Sequence, residues 1–246
     1  MAQSPLGNNL QYFAKGTQRK SRKILGMKPA EIPYMKFREI DLFKEVLQNL
    51  QPKRVLEYGC GYSTLIFPNL LPANGEWISL EHNLEWLTEI KPRVTEGKKN
   101  VTVHEIKANA DIWKGFGQYP DFKDYVDFPK SLEKFDLVLV DGMAREACID
   151  LAPELLNENG ILVVHDANNK NYHSHIKQFP NWFMIQDHRK TAGGFGFASI
   201  HYPLDQLVDW DKHEKVWRMD AGVSNFMKFK FLIGKKTKPF SMEGSA

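Results

Sequence analysis

The chain has 246 residues, 42% of them hydrophobic and 26% charged, with a formal net charge of +3 at pH 7. That composition suits one sizeable globular domain and excludes a mainly disordered chain, while the charge is too mild to mark a nucleic-acid or membrane surface. Two cysteines, Cys60 and Cys148, exclude a disulfide framework and a four-cysteine zinc site.

Residues 1–36 read as a basic N-terminal arm. The first thirty carry Lys15, Arg19, Lys20, Arg22, Lys23 and Lys28 and no acid, so the segment is expected to pack as a lead-in or to meet a phosphate-bearing partner. The first twenty residues show no apolar signal core. Apolar runs such as 137–140 fall far short of the roughly 18 residues of a membrane span, so a cytoplasmic protein without a membrane partner is expected. Residues 37–50 place Phe37, Ile40, Leu42, Phe43, Val46, Leu47 and Leu50 at helical spacing, and Pro52 ends that helix. Short apolar runs then predict strands at 54–59, 76–81, 101–106, 135–141 and 160–166, with helices near 63–71, 84–94 and 145–156. Strands apolar throughout, alternating with helices, predict an α/β parallel sheet covered on both faces. Two more strands, at 183–188 and 195–202, are separated by only six residues. That is too short for a parallel crossover, so they must be antiparallel. The tail 203–246 is expected to hold a helix at 205–217 and a strand at 226–233, as an extension packed on the same domain with an added edge strand or a homodimer contact.

The first strand runs into Glu57, Gly59, Cys60, Gly61, Ser63 and Thr64. Glycines there let the chain turn sharply and let a ligand lie against the backbone. A dinucleotide site would want a third glycine where Thr64 stands. Twenty residues past Gly61, Glu81 ends the second strand, where a carboxylate can accept both hydroxyls of a ribose.

The segments VLEYGCGYSTLIF, ISLEHN, FDLVLVDG and GILVVHDANN, in this order and spacing, resemble the class I S-adenosylmethionine-dependent methyltransferases over residues 37–202. The resemblance implies a Rossmann-like doubly wound sheet, mostly parallel with an antiparallel C-terminal hairpin, and S-adenosylmethionine as cofactor. It places Glu57, Gly59 and Gly61 at the methionine end, Glu81 on the ribose, and Asn109, Ala110 or Asp111 by the adenine. Ser63 and Asp141 join the cofactor contacts.

Asp141 and Asp166 end the fourth and fifth strands, and neighbouring strands lie roughly 4.8 Å apart, so both carboxylates should face one crevice, flanked by His165, Asn168 and Asn169. Two uses are open. Asp141, Asp166 and Asn168 or Asn169 could hold magnesium, in a cluster similar to that of catechol-type O-methyltransferases, although this chain has Asp-Ala-Asn-Asn where that family has an Asp-Asn pair. In the favoured use, His165 or Asp166 is a metal-free general base. The bland alternative has these residues only capping strands. Arg145 is expected to bind an anionic substrate group or to pair with a crevice carboxylate. Residues 111–134 carry Trp113, Phe116, Tyr119, Phe122, Tyr125 and Phe128 at every third position, which no single helix face can hold, and read as an aromatic flap or as packing on the sheet edge. His173 and His175, two residues apart, are expected at the surface or against the acceptor. No Asn/Asp-Pro-Pro-aromatic turn follows the fourth strand and no nucleic-acid motif is visible. The expectation is therefore O-methyl transfer to a hydroxyl of a small molecule or sugar, with Asp141, His165 and Asp166 at the acceptor. A nicotinamide-dependent oxidoreductase and a catalytically silent nucleoside-binding scaffold are the alternatives.

Overall fold

The structure is a computed structural model that describes residues 31–96, 100–187, 189, 191–219 and 241–245; the basic arm at 1–30 and the expected strand at 226–233 lie outside the described residues. Helix α1 (Phe37–Leu50) buries Ile40, Leu42, Phe43, Val46 and Leu47, the stripe that its spacing predicts. It also buries Arg38 and Glu39, two charges that the stripe does not announce. Next come β1 (Arg54–Tyr58), α2 (Tyr62–Ile66), β2 (Glu76–Glu81), α3 (Leu84–Thr95) and β3 (Val101–Glu105). The chain continues through α4 (Lys123–Asp127), β4 (Phe135–Val140), α5 (Arg145–Leu155), β5 (Leu156–His165), α6 (His173–Ile176), β6 (Asn181–Gln186) and β7 (Phe195–Ser199). Residues 210–219 are helical, and β8 (Ser241–Gly244) closes the described chain.

The strands form one sheet in the order β3-β2-β1-β4-β5-β7-β6-β8. The first five run parallel, and β7 lies antiparallel between β5 and β6, as the short connection requires. Both faces are covered. On one, Phe43, Val46 and Leu47 of α1 join Val55, Leu137, Leu139, Ile161 and Val163 of the sheet. On the other, Cys148, Ile149 and Ala152 of α5 join Leu56, Val138, Val140, Leu162 and Val164. Alternate residues of each strand thus enter opposite cores, which is why the strands show no polar alternation.

Two expectations need correction. Strand β5 begins at Leu156, not at 160: Leu156 pairs with Phe135 across a register shift. Gly160 sits at that irregularity, where a Cβ would stand 2.8 Å from the Phe135 carbonyl oxygen. The polar Asn157-Glu158-Asn159 stretch lies in that register shift, so the strand's first half lacks the apolar run that marks its second half. The tail helix covers 210–219, preceded by a short 3₁₀ turn at Leu204–Gln206. A further edge strand, Ser241–Gly244, pairs antiparallel with β6.

Candidate active site

The loop after β1 is built around a buried carboxylate. Glu57 is fully buried, and its Oε2 accepts from Thr64 Oγ1 (2.6 Å), Ser79 Oγ (2.6 Å) and Trp77 Nε1 (2.8 Å), while Oε1 accepts from Ser63 Oγ (2.5 Å). Burial pushes its pKa up to about 7 against those four hydrogen bonds. Thr64, fully buried where a dinucleotide loop would have glycine, also accepts from the Gly61 amide at 3.0 Å. Glu57 and Ser63 therefore hold the loop from beneath, with no part of the Glu57 carboxylate at the crevice surface, which corrects its placement on a cofactor amino group. The Cys60 thiol accepts from Thr64 Oγ1 at 3.6 Å, is buried, and is pushed up to about 12 by that burial.

Gly59 has φ of +100°, and a Cβ on it would lie 3.0 Å from Gly142 Cα and 3.1 Å from the Asp141 carbonyl oxygen. Its freedom serves the close approach of the β1 and β4 loops. Gly61 is extended and a Cβ there would meet only the Trp86 ring edge at 3.8 Å, so the space beside it is open. Glu81 ties the two neighbouring loops together: Oε2 accepts from the Cys60 amide (3.0 Å), and Oε1 from the amides of His82 and Asn83 (2.9 Å each). A carboxylate oxygen has two lone pairs, so Oε2 keeps one for a hydroxyl.

Asn109 and Ala110 follow β3 and anchor the aromatic segment. Both amides donate to the Asp121 carbonyl, and Asn109 Oδ1 accepts from the Asp124 amide. The segment 111–134 folds into 3₁₀ turns around α4. Phe122 and Tyr125 are buried, whereas Ile112, Phe116 and Tyr119 are exposed. Phe116 crosses to the β4 loop: its carbonyl accepts from the Ala144 amide at 2.7 Å, and its ring lies 4.9 Å from the Arg145 guanidinium. Three-residue spacing thus serves a segment that packs one half and exposes the other.

Asp141, His165 and Asp166 come together at the carboxyl ends of β4 and β5, with ligating atoms all within 4.8 Å. His165 Nδ1 lies 2.9 Å from Asp141 Oδ1. Arg145, buried, ion-pairs with Asp141 Oδ1 (3.1 Å) and Asp166 Oδ2 (3.2 Å) and donates to the carbonyls of Asp141, Gly142 and His165. Its donors are spent, so Arg145 is the cation that holds the two carboxylates and not a site for a substrate anion. Burial alone would push the His165 pKa down, but Asp141, Glu39 and Asp166 outweigh it and raise it to about 10. Set between these carboxylates, His165 is favoured as an imidazolium, a form with no lone pair to take a proton as general base. Asp166 adopts φ of +61°, an uncommon conformation for a residue with a side chain. It accepts from the Gly193 amide through Oδ1.

Four residues at this site carry no sequence signal. Glu39 accepts through Oε1 from the Gly194 amide (3.0 Å) and from Arg189, and its Oε2 stands 3.6 Å from His165 Nε2. Arg38 and Arg189 pair with Asp187. Charges on a helix and on a hairpin turn ordinarily read as solvated, and only the tertiary fold faces them inward. Asn168 is claimed by this group: it donates to Asp187 Oδ1 (2.7 Å) and the Ala192 carbonyl (2.9 Å) and accepts from the Asp187 amide (3.0 Å). It is 1% exposed, so neither acceptor nor metal can reach it. Asn169 caps the turn Lys170–Tyr172. His173 bonds the Ala167 carbonyl and His175 bonds Asp150, so neither faces the cluster.

No protein-family model matches the chain, nor does any curated protein. Solved structures share its fold. Cofactor-bound Rv0187 from MTB is 18% identical over 82% of this chain and 92% of that one, with a TM-score of 0.50. An O-methyltransferase from Bacillus cereus in complex with SAH is 16% identical over 80% of this chain and 90% of that one, also at 0.50. SAH-bound methyltransferase PaMTH1 of Podospora anserina is 14% identical over 80% and 88%, again at 0.50. The chain has the class I methyltransferase fold. In the class I methyltransferase fold, as in other open α/β sheets, the ligand crevice opens where the strand order reverses, here between β1 and β4. Gly59, Gly61, Glu81 and Asp141 all stand at that point.

Magnesium does not fit the residues present. Arg145 already pairs with both carboxylates, and a protonated imidazole has no lone pair for a metal. The third oxygen ligand, Asn168, is buried on Asp187.

Proposed function

We propose that the chain binds S-adenosylmethionine in the crevice between the β1 and β4 loops and transfers its methyl group to a hydroxyl of a small-molecule or sugar acceptor. The observation that carries the reading is β7, inserted antiparallel between β5 and β6. This closure is that of the methyltransferase fold, whereas the two halves of a dinucleotide-binding sheet are built from parallel βαβ units. Two of the solved structures with this fold carry SAH, which supports the choice of ligand. Bound in the crevice, the cofactor would supply an electrophilic methyl group on a sulfonium.

The chain's own residues then divide the work. Glu81 Oε2 offers its remaining lone pair to a ribose hydroxyl. Asp141 Oδ2 accepts no hydrogen bond among the described residues, and its side chain is 23% exposed. His165 and Arg145, against the cost of burial, hold its carboxyl below the usual carboxylate range, so it keeps a negative charge for the ammonium of the methionine end. Asp166, 19% exposed, faces the acceptor and takes the hydroxyl proton as the oxygen attacks. Most of the acceleration comes from positioning two reactants in line.

The test is transfer of isotopically labelled methyl to a panel of hydroxyl acceptors by the wild-type chain and by Asp166→Asn. General-base removal costs roughly 10²–10⁴-fold in kcat with S-adenosylhomocysteine affinity retained. Equal kcat in the two proteins would remove Asp166 from the chemistry, and labelling of amines alone would overturn the choice of acceptor atom.

A further inference from the structure

His165 is held from two sides, and only one of them belongs to the strand ends. Asp141, at the end of β4, takes Nδ1 at 2.9 Å. From the opposite side Glu39, in the first turn of α1, stands 3.6 Å from Nε2, and Asp166 stands 3.8 Å from it. Nε2 is buried and, among the described residues, makes no hydrogen bond within normal distance, so its proton points between two carboxylates. Glu39 is itself fully buried. A carboxylate in a helix face that otherwise packs on a sheet costs several kcal/mol unless it is paired. It is paired on every side: the Lys36 amide donates to Oε2 at 2.6 Å, and the Gly194 amide and Arg189 donate to Oε1.

The charged groups facing the ring are Asp141 after β4, Arg145 on α5, Asp166 beside the ring, Glu39 on α1 and, beyond Glu39, Arg189 in the β6–β7 turn. Among Glu39, Asp141, Asp166, His165, Arg145 and Arg189, three negative charges meet three positive ones only when His165 is protonated.

We propose that Glu39 is a positioning residue. It fixes the charge and orientation of the His165 ring from the side opposite Asp141, and by gripping Gly194 and Arg189 it fixes the turn that carries Gly193 onto Asp166. Helix α1 thereby completes a site whose other members sit at the strand ends. The Gly193–Gly194 pair makes the grip feasible. Both have φ near +80°, and a Cβ on Gly194 would lie 2.8 Å from Asn168 Oδ1 and from the Ile185 carbonyl oxygen. The role of this ring in acceptor methylation rests on the function proposed above, but the coupling of Glu39 to His165 does not.

The experiment is a ¹⁵N-detected histidine titration of the full chain, with His165 assigned by comparison with His165→Gln, in wild type, Glu39→Gln and Glu39→Asp. Wild-type His165 is expected to be an imidazolium at pH 7.5. In Glu39→Gln its midpoint is expected to fall by about 1–3 units, the effect of an opposite charge within a few ångströms, while S-adenosylhomocysteine affinity changes less than threefold. A folded Glu39→Gln chain with an unmoved midpoint, or a neutral His165 in wild type, overturns the proposal. Should Glu39→Gln fail to fold, Glu39→Asp keeps the charge, shortens the reach and must still lower the midpoint; an unmoved midpoint there overturns it equally. Loss of cofactor binding in wild type would count against the proposed function and leave this coupling standing.

Discussion

Gly142→Ala probes the contact on which the crevice depends. A Cβ on Gly142 would overlap the Tyr125 hydroxyl and stand 2.8 Å from the Gly59 nitrogen and 2.9 Å from the Tyr58 carbonyl carbon. Gly142 is not among the glycines with positive φ, so its backbone conformation suits alanine and the whole cost is steric. Overpacking in a well-packed interior costs typically 1–3 kcal/mol. With backbone on one side of the new methyl the upper end applies, about 3 kcal/mol. For a chain of this size that is a fall in Tm of roughly 6–12 °C. Among the described residues the buried Tyr125 hydroxyl has no hydrogen bond of normal geometry, so Tyr125→Phe alone should be nearly neutral. In the double variant the phenylalanine removes the nearest overlap but not the contacts to Gly59 and Tyr58, so about half of the loss should return. Urea unfolding of the four proteins gives the coupling directly. A Gly142→Ala chain within about 0.5 kcal/mol of wild type, or no recovery in the double variant, would refute the account of how these loops pack.

Two further outcomes follow from the charges at the site. The His165 pKa is raised from 6.5 to about 10, so its contribution to stability is complete below pH 6.5 and disappears as pH rises towards 10. Wild type should lose a few kcal/mol over that window relative to His165→Gln, and parallel stability profiles in urea at pH 6, 8 and 10 would contradict the assignment. Because Arg145 and protonated His165 occupy the carboxylates, millimolar magnesium should not raise Tm and a chelator should not lower it. A magnesium-dependent rise that vanishes in Asp141→Asn would show that the metal displaces Arg145.

Much of the fold was legible because it rests on local patterns. The runs 137–140 and 161–164 are apolar at every position, which only a strand covered on both faces requires. Six residues between 188 and 195 leave no room for a parallel crossover, so the antiparallel closure followed from chain length alone. The glycine loop and the acids ending β2, β4 and β5 were legible for the same reason, since a strand end is a place that sequence can mark. Illegible were the contacts made by residues far apart in the chain. Nothing local distinguishes Glu39 from a solvated helix acid, or Asp187 and Arg189 from a polar turn, until the β6–β7 turn folds onto α1. Arg145 was placed at the crevice, but its partners decide that it braces the carboxylates. Glu57 was read as a ligand group, and the hydroxyls of Ser63, Thr64 and Ser79 turn it into a brace beneath the loop. Asn168 was drawn away by Asp187 in the same manner.

The central claim is that the crevice between the β1 and β4 loops takes S-adenosylmethionine. Thermal unfolding with S-adenosylmethionine, S-adenosylhomocysteine, NAD and NADP in parallel tests it most directly. A ligand at a hundred times its Kd adds about 2.7 kcal/mol, a rise of roughly 5–10 °C for a chain of this length. The account predicts that rise with the two adenosyl-sulfur ligands, its loss in Glu81→Ala, and no change with either nicotinamide cofactor. A rise with NAD or NADP alone, or none with any of the four, would contradict it.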